Sequence, residues 1–218
     1  MKEVIIIGSG GHGAELDDYI NYNNSIRGSE ELKIIGYLDD NPANYSKYLF
    51  SAPLIGGVKD HEVRKDIYYI IGIANLKYRQ KFVDQYLKSG AKFLTLVHAS
   101  AYISRSSEIG VGAIIGPNVN LGPNAQIGDF TFINARSSIG HDTVVGKHNF
   151  ISPNVCFSGF TKVGDGNLFG INSATLPEIK IGNNNKIMAG MVLDRDIGDG
   201  TTVFHRFRER VIAIPKTK

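Results

Sequence analysis

The sequence predicts two units of different class in one chain. Residues 1–98 read as a small α/β, Rossmann-like βαβ unit, 99–200 as an all-β parallel β-helix, and 201–218 as a basic tail. Three observations predict this. An apolar run, Val4-Ile5-Ile6-Ile7, stops at a glycine-rich loop. Strand-like and helix-like segments then alternate as far as Val97. From Ile103 to Leu193 every sixth residue is large and apolar, with Thr175 the one exception.

Val4–Ile7 suits a strand buried on both faces, because it is continuous and β-branched. Gly8-Ser9-Gly10-Gly11-His12-Gly13 follows, and Ala14–Tyr22 reads as a helix. Lys33–Leu38 is the second strand, closed by Asp39-Asp40-Asn41-Pro42, and Asp66–Ile73 the third. Lys77–Lys88 is helical, with Phe82, Val83, Tyr86 and Leu87 on one face. Ser89-Gly90 stops it, and Phe93–Val97 is the last strand. Strands alternating with helices imply a parallel sheet.

The second half keeps several rules in one register. Gly follows the apolar position at 110, 116, 122, 128, 140, 146, 164, 170 and 182. Pro117, Pro123, Pro153 and Pro177 all stand two residues after it. The residue four after it is mostly Ala, Ser, Thr or Val. A β-sandwich would alternate with period two and turn about every 8–12 residues. A period of six instead describes a triangular prism in which three hexads make one coil of 18 residues. The apolar and small residues face inward, and successive coils pair as parallel strands. The phase breaks after Leu193, and the basic segment from Thr201 is expected to leave the prism. Cys156, next to an inward position, reads as a buried small residue.

Composition narrows the function. One Cys in 218 residues excludes an internal disulfide and a cysteine-cluster zinc site. A net charge of +3 gives no argument for nucleic acid or a membrane surface. No apolar run approaches the roughly 20 residues of a membrane span. The N-terminus lacks the pattern of a secretory signal, so the expected location is cytoplasmic.

A short mononucleotide-type unit carrying Gly8–Gly13 and Asp39-Asp40, joined to a hexapeptide prism carrying Ile139-Gly140-His141-Asp142, resembles the bacterial nucleotide-sugar acetyltransferases of the bacillosamine, perosamine and sialic-acid pathways. The resemblance covers about residues 2–203. It implies a left-handed β-helix, a homotrimer with the cofactor site between subunits, acetyl-CoA as co-substrate, no metal, and a nucleotide-linked amino sugar as acceptor.

Acetyl transfer from a thioester needs a base and an oxyanion donor. His141 is the candidate base, since imidazole titrates near neutral pH. Its phase turns it out of the prism at a corner. A solvent-exposed corner histidine has the same spacing, and the resemblance decides for catalysis, with Asp142 polarising the ring. One coil on stands Gly159, whose N–H would donate to the carbonyl oxygen. By the same correspondence, backbone near Ile171 and Ala189 would line the pantetheine groove. Where the family has a second histidine this chain has Phe150, expected as an apolar wall of the acceptor site; His148 reads as a surface residue. The family's closing loop is replaced by Phe204–Arg210, where Arg206 and Arg208 would meet the phosphates of coenzyme A.

In the first unit, Gly8, Gly10, Gly11 and Gly13 open a helix after a strand and suit a phosphate or phosphosugar, with His12 beside it. Asp39 would hydrogen-bond a ribose, and Asn75 and Lys77 would assist. A unit of fewer than 100 residues is half a dinucleotide fold, so a uridine diphosphate sugar is read in preference to NAD. The leading function is N-acetylation of a nucleotide-linked amino sugar. A sugar O-acetyltransferase of the sialic-acid type and a non-catalytic nucleotide-sugar-binding scaffold stand as alternatives. A zinc hydrolyase needs three converging histidines, and the repeats hold only His141 and His148.

Overall fold

A computed structural model describes residues 1–26, 28 and 31–205. The N-terminal unit is a five-stranded, wholly parallel sheet in the order β3-β2-β1-β4-β5. Its elements are β1 (Lys2–Ile7), α1 (Gly11–Ser25), β2 (Leu32–Leu38), α2 (Pro42–Tyr45), β3 (Leu54–Gly56), β4 (Tyr68–Ile71), α3 (Leu76–Lys88) and β5 (Lys92–Phe93). Val4 to Ile7 are fully buried, as a strand covered on both faces requires. α3 carries Phe82, Val83 and Tyr86 inward, but Leu87 is exposed and Arg79 is buried in its stead. The short elements α2 and β3 carry no sequence period long enough to be read.

From Leu96 the chain winds into the left-handed prism, each coil adding two-residue strands to three parallel faces. The first face runs from Tyr102–Ile103 to Val192–Leu193, the second from Glu108–Ile109 to Lys180–Ile181, and the third from Leu96–Val97 to Thr202–Val203. The 18-residue register holds as far as Leu193: Leu121 opposes Ile139, which opposes Phe157. The apolar position of each hexad forms the interior stack. Asn149, Asn167 and Asn185, which break the small-residue rule, make a buried ladder, each side-chain oxygen accepting from the backbone N–H one coil on. Corner residues adopt positive φ, among them Asn118, Asn124, Asn154, Asn172 and Asn184, a residue type that tolerates the left-handed region.

Three sequence expectations are corrected. The strand expected over 93–97 is two strands: Phe93 pairs with Tyr69, whereas Leu96–Val97 is the first rung of the third face, pairing with Ile114–Ile115. The segment after 200 does not leave the prism at once, because Thr202–Val203 pairs with Lys186–Ile187. The break after Leu193 shortens the last coil, so Ile197 opposes Ile181 and Thr202 opposes Lys186, sixteen residues apart. Cys156 is exposed, pointing out of the first face between Ser138 and Ala174.

The N-terminal unit is docked on the third face. Leu96, Ile114, Phe132 and Phe150 point out of that face into a shared core with Leu16, Tyr19 and Ile20 of α1. Arg79, fully buried, donates to the carbonyls of Ile71 and Ile73 on one side and of Phe130 on the other, tying α3 to the prism. With no ion-pair partner among the described residues, the guanidinium is pushed by burial down to about 9.

Candidate functional site

Two sites emerge, one on each unit. The first lies at the carboxyl ends of β1, β2 and β4, where the strand order reverses across β1, the usual position for a ligand in an open α/β sheet. A cavity of 490 Å³ opens there, lined by Gly8, Gly10, Gly11, His12 and Asp39 among others. Gly8 has φ 103°, and a Cβ on it would touch Ile73 at 2.9 Å. Gly10 has nothing within 4 Å of a would-be Cβ, so its backbone is open to a ligand. Gly13 does a different job. It is buried, and a Cβ would lie 2.2 Å from the Gly8 carbonyl oxygen, so it lets α1 pack on β1.

Asp39 lines the cavity, yet both its oxygens accept from the protein itself. One takes the Ser9 N–H (2.9 Å) and hydroxyl (3.0 Å), the other the Asn41 N–H (2.9 Å). It therefore buckles the glycine loop to the end of β2. Asp40 holds the opposite wall through the Val58 and Lys59 N–H groups and the Lys59 ammonium at 3.0 Å. Burial pushes its pKa up, but these bonds and the lysine charge outweigh burial and hold it below the usual carboxylate range. Asn75 caps α3 by accepting from the Tyr78 N–H. Lys77 is exposed and outside the lining, whereas Lys81, one helical turn on, lines the cavity with Lys59 and Tyr78. A helix face is ambiguous by one turn from sequence, and the i, i+4 partner was the signal for Lys81. Lys59 follows no motif.

His12 joins the cavity to the prism. Its Nδ1 donates to Glu15 at 2.6 Å, and its ring meets Phe132 and Phe150 edge-on at 5.5 and 5.4 Å. Phe150 is thus buried in the junction on the third face, not beside His141.

The second site is on the edge between the first and second faces. His141 and Asp142 occupy that corner, with Asp142 at φ 57°. Asp142 accepts from the His141 Nδ1 at 2.8 Å and from the Asn124 amide, one coil back, at 3.0 Å. Those two bonds hold the Asp142 carboxyl below its usual range. An ionised carboxylate only accepts, so Nδ1 carries the hydrogen and Nε2 of the neutral ring carries the lone pair. The imidazole lies over Gly159: a Cβ there would stand 2.7 Å from both Cε1 and Nε2. Phe160 meets the ring edge-on at 5.1 Å. Among the described residues the Gly159 N–H has no hydrogen-bond partner. The neighbouring edge differs, since there the Val111, Lys147, Asp165 and Asn183 N–H groups each bond an Asp or Asn side chain of the next coil. The edge is half-exposed, and it brings an imidazole lone pair and a backbone N–H together.

Ile171 and Ala189 do not share this edge. They lie at corners between the third and first faces, so within one chain they are apart from His141. Arg206 and Arg208 lie outside the described residues. His148 is not a free surface residue. It stacks on Phe130 at 5.3 Å, and burial, then the Arg79 charge, lowers its pKa. No cluster of three His, Cys, Asp or Glu suited to a metal occurs among the described residues, and no described helix is long and apolar enough to cross a membrane.

Comparisons with known proteins agree with this division. Residues 3–86 match the PglD N-terminal domain, and 124–159 match the bacterial transferase hexapeptide (six repeats). A curated relative, UDP-N-acetylbacillosamine N-acetyltransferase of Bacillus subtilis, is 28% identical over 117 residues, which are 53% of this chain and 51% of that protein. The match therefore spans about half the length of the curated relative. The fold is that of the acetyltransferase domain of PglB from Neisseria gonorrhoeae, solved with acetyl coenzyme A (TM-score 0.79, 22% identity, 92% of this chain and 95% of that one). PerB from Caulobacter crescentus, solved with CoA and GDP-perosamine, is equally similar (TM-score 0.79, 23% identity, 93% of each chain). The chain joins a PglD-type N-terminal domain to a hexapeptide-repeat prism, and the family resemblance seen in its sequence is borne out.

Proposed function

We propose that the protein transfers the acetyl group of acetyl-CoA to the amino group of a nucleotide-linked amino sugar, with His141 as general base. The observation that carries this reading is the imidazole, held by Asp142 at 2.8 Å with its Nε2 over Gly159, whose N–H has no hydrogen-bond partner among the described residues. The neutral amine attacks the thioester carbonyl, and the oxygen takes on negative charge within reach of the Gly159 N–H. Nε2 accepts the proton that the attacking nitrogen loses. Collapse of the tetrahedral intermediate breaks the C–S bond, and the imidazolium returns that proton to the departing thiolate. Asp142 stabilises the imidazolium in between. Acetyl-CoA and an amine acceptor are supported by the solved similar proteins, which carry acetyl coenzyme A or CoA with GDP-perosamine, and by the curated relative's name.

The 490 Å³ cavity is the acceptor's nucleotide site in this reading, its open glycine backbone and two lysines facing phosphate. A uridine nucleotide is the expected base, after the curated relative. The third face carries the N-terminal unit, and His141 stands on the edge opposite that face. A chain's own cavity is therefore remote from its own base, which supports a trimer in which neighbours share each site. The first face suits such packing, since Asn120, Ser138, Cys156 and Ala174 point out of it without charge.

The test is thiol release from acetyl-CoA against UDP-, GDP- and dTDP-linked 3-amino and 4-amino sugars, with light scattering. Turnover with one class, a mass near three chains, and a loss of about 10²-fold or more in kcat for His141→Asn are expected. Unchanged turnover in His141→Asn would remove the histidine from the mechanism.

A further inference from the structure

The only break in the apolar rule of the hexads, Thr175, sits one coil below the Ser158–Gly159 peptide, and its side chain is buried. Its hydroxyl oxygen accepts from the Ser158 N–H at 3.1 Å and meets the Thr161 hydroxyl at 2.9 Å. The Thr161 hydroxyl in turn donates to the Ser158 carbonyl at 2.7 Å. Each hydroxyl has one hydrogen to give, so the direction is determined: Thr161 donates to Ser158, and Thr175 donates to Thr161. A closed ring results, running from the Ser158 N–H through two threonines back to the Ser158 carbonyl. Thr143, another buried threonine, adds a second bond to that carbonyl at 3.1 Å.

This ring acts on the Gly159 N–H. The Ser158 carbonyl and the Gly159 N–H belong to one planar trans peptide and point in opposite directions. Hydroxyls that hold the carbonyl toward the prism interior therefore aim the N–H outward, toward the side where the His141 ring lies. Bonds in a chain polarise one another, so a carbonyl accepting two hydroxyls makes its peptide N–H a stronger donor. An oxyanion donor must be aimed before charge develops if it is to lower the barrier.

We propose that Thr175 is a positioning residue: through Thr161 and Ser158 it fixes and polarises the Gly159 N–H as the oxyanion donor. The inference rests on the acetyl-transfer reading for its catalytic meaning, but the aim of the N–H is a property of the protein alone. The experiment compares Thr175→Val, which keeps the shape and removes the hydroxyl, with Thr175→Ser, which keeps the hydroxyl. Thr161→Val, which breaks the next link, stands in should Thr175→Val fail to fold. Thr175→Val is expected to lower kcat about tenfold with both KM values within about twofold, and Thr175→Ser to stay within about threefold of wild type. In 15N-labelled protein without substrate, the Gly159 amide proton should move upfield in Thr175→Val and not in Thr175→Ser. Wild-type kcat in Thr175→Val, an unmoved Gly159 resonance, or equal losses in both variants that track their melting temperatures would each overturn the proposal. If the wild-type protein acetylates no amino sugar, the function reading fails while the amide shift still decides this one.

Discussion

Replacing Gly159 by Ala separates chemistry from folding at one atom. Gly159 is not among the residues of positive φ, so an alanine strains no backbone there. Its methyl would instead meet the imidazole, with Cε1 and Nε2 at 2.7 Å and Cδ2 at 3.2 Å. Ordinary carbon contacts begin near 3.4 Å, so the ring must retreat by about 0.7 Å or rotate away. The ring is half-exposed and its bond to Asp142 is at the surface, so the retreat costs the fold little. Gly→Ala at a compatible site adds about 0.4–1 kcal/mol of stability through the unfolded chain. Catalysis has no such freedom, because a shift of about 1 Å costs roughly 10²-fold, or about 2.7 kcal/mol of barrier. Thiol release should therefore drop about a hundredfold in kcat, while the urea midpoint stays level or rises. A variant that keeps kcat within about threefold of wild type would refute the reasoning, since a base that tolerates displacement from Gly159 is not acting from the pose described.

Further predictions concern stability and binding. Phe130 and Phe160 both hold left-handed backbone, at φ 56° and 60°, but Phe130 is buried in the interdomain core and Phe160 is 49% exposed. Phe130→Asn should cost about 2–4 kcal/mol, whereas in Phe160→Asn the relieved strain and the lost contact nearly cancel, to within about 1 kcal/mol; urea titration of the two variants checks the contrast. Burial holds His61, His98 and His148 below the usual histidine range. Their folded pKa values lie below the unfolded one, so this stability is full above about pH 6.5 and is lost as pH falls. The melting temperature should decline between about pH 6.5 and 5, before the carboxylates titrate, and His148→Asn should flatten part of that slope. Lys81→Ala should raise the nucleotide-sugar KM and leave the acetyl-CoA KM unchanged.

Much of the prism was legible because its period is a structural constant. Adding 18 to His141 identifies Gly159, and the ring is found over that glycine. Thr175 broke the period visibly, and the break proved to be a hydrogen-bonded ring. What escaped was anything decided by a second surface. Cys156 and Phe150 occupy the same phase of their hexads, yet one is exposed and the other buried, because the N-terminal unit covers only the third face. No period within a chain encodes which face is covered. The same holds for Lys81 over Lys77 and for Arg79 over Leu87, where the sheet and the prism select one turn of a helix that presents both. Asp39 was read at the right place, but its bonds to Ser9 and Asn41 depend on how the loop closes, which composition does not specify.

The covered face also carries the strongest consequence for the assembly. With the N-terminal unit on the third face and His141 on the edge opposite it, a shared site predicts complementation between inactive chains. In the proposed trimer, co-expression of His141→Asn with Lys59→Ala/Lys81→Ala would let each site take its edge from one chain and its cavity from the next. With random mixing at equal amounts, about one site in four receives both intact halves, so roughly a quarter of wild-type turnover should return. A site built within one chain returns none, since every chain then carries one defect or the other. Separately purified variants, each measured alone and after mixing without subunit exchange, set the baseline. Tandem affinity tags on the two chains confirm that mixed trimers are the species assayed. Turnover at the baseline in doubly tagged trimers would mean that base and cavity act within one chain, and the docking of the N-terminal unit on the third face would then not be the arrangement in which the enzyme works.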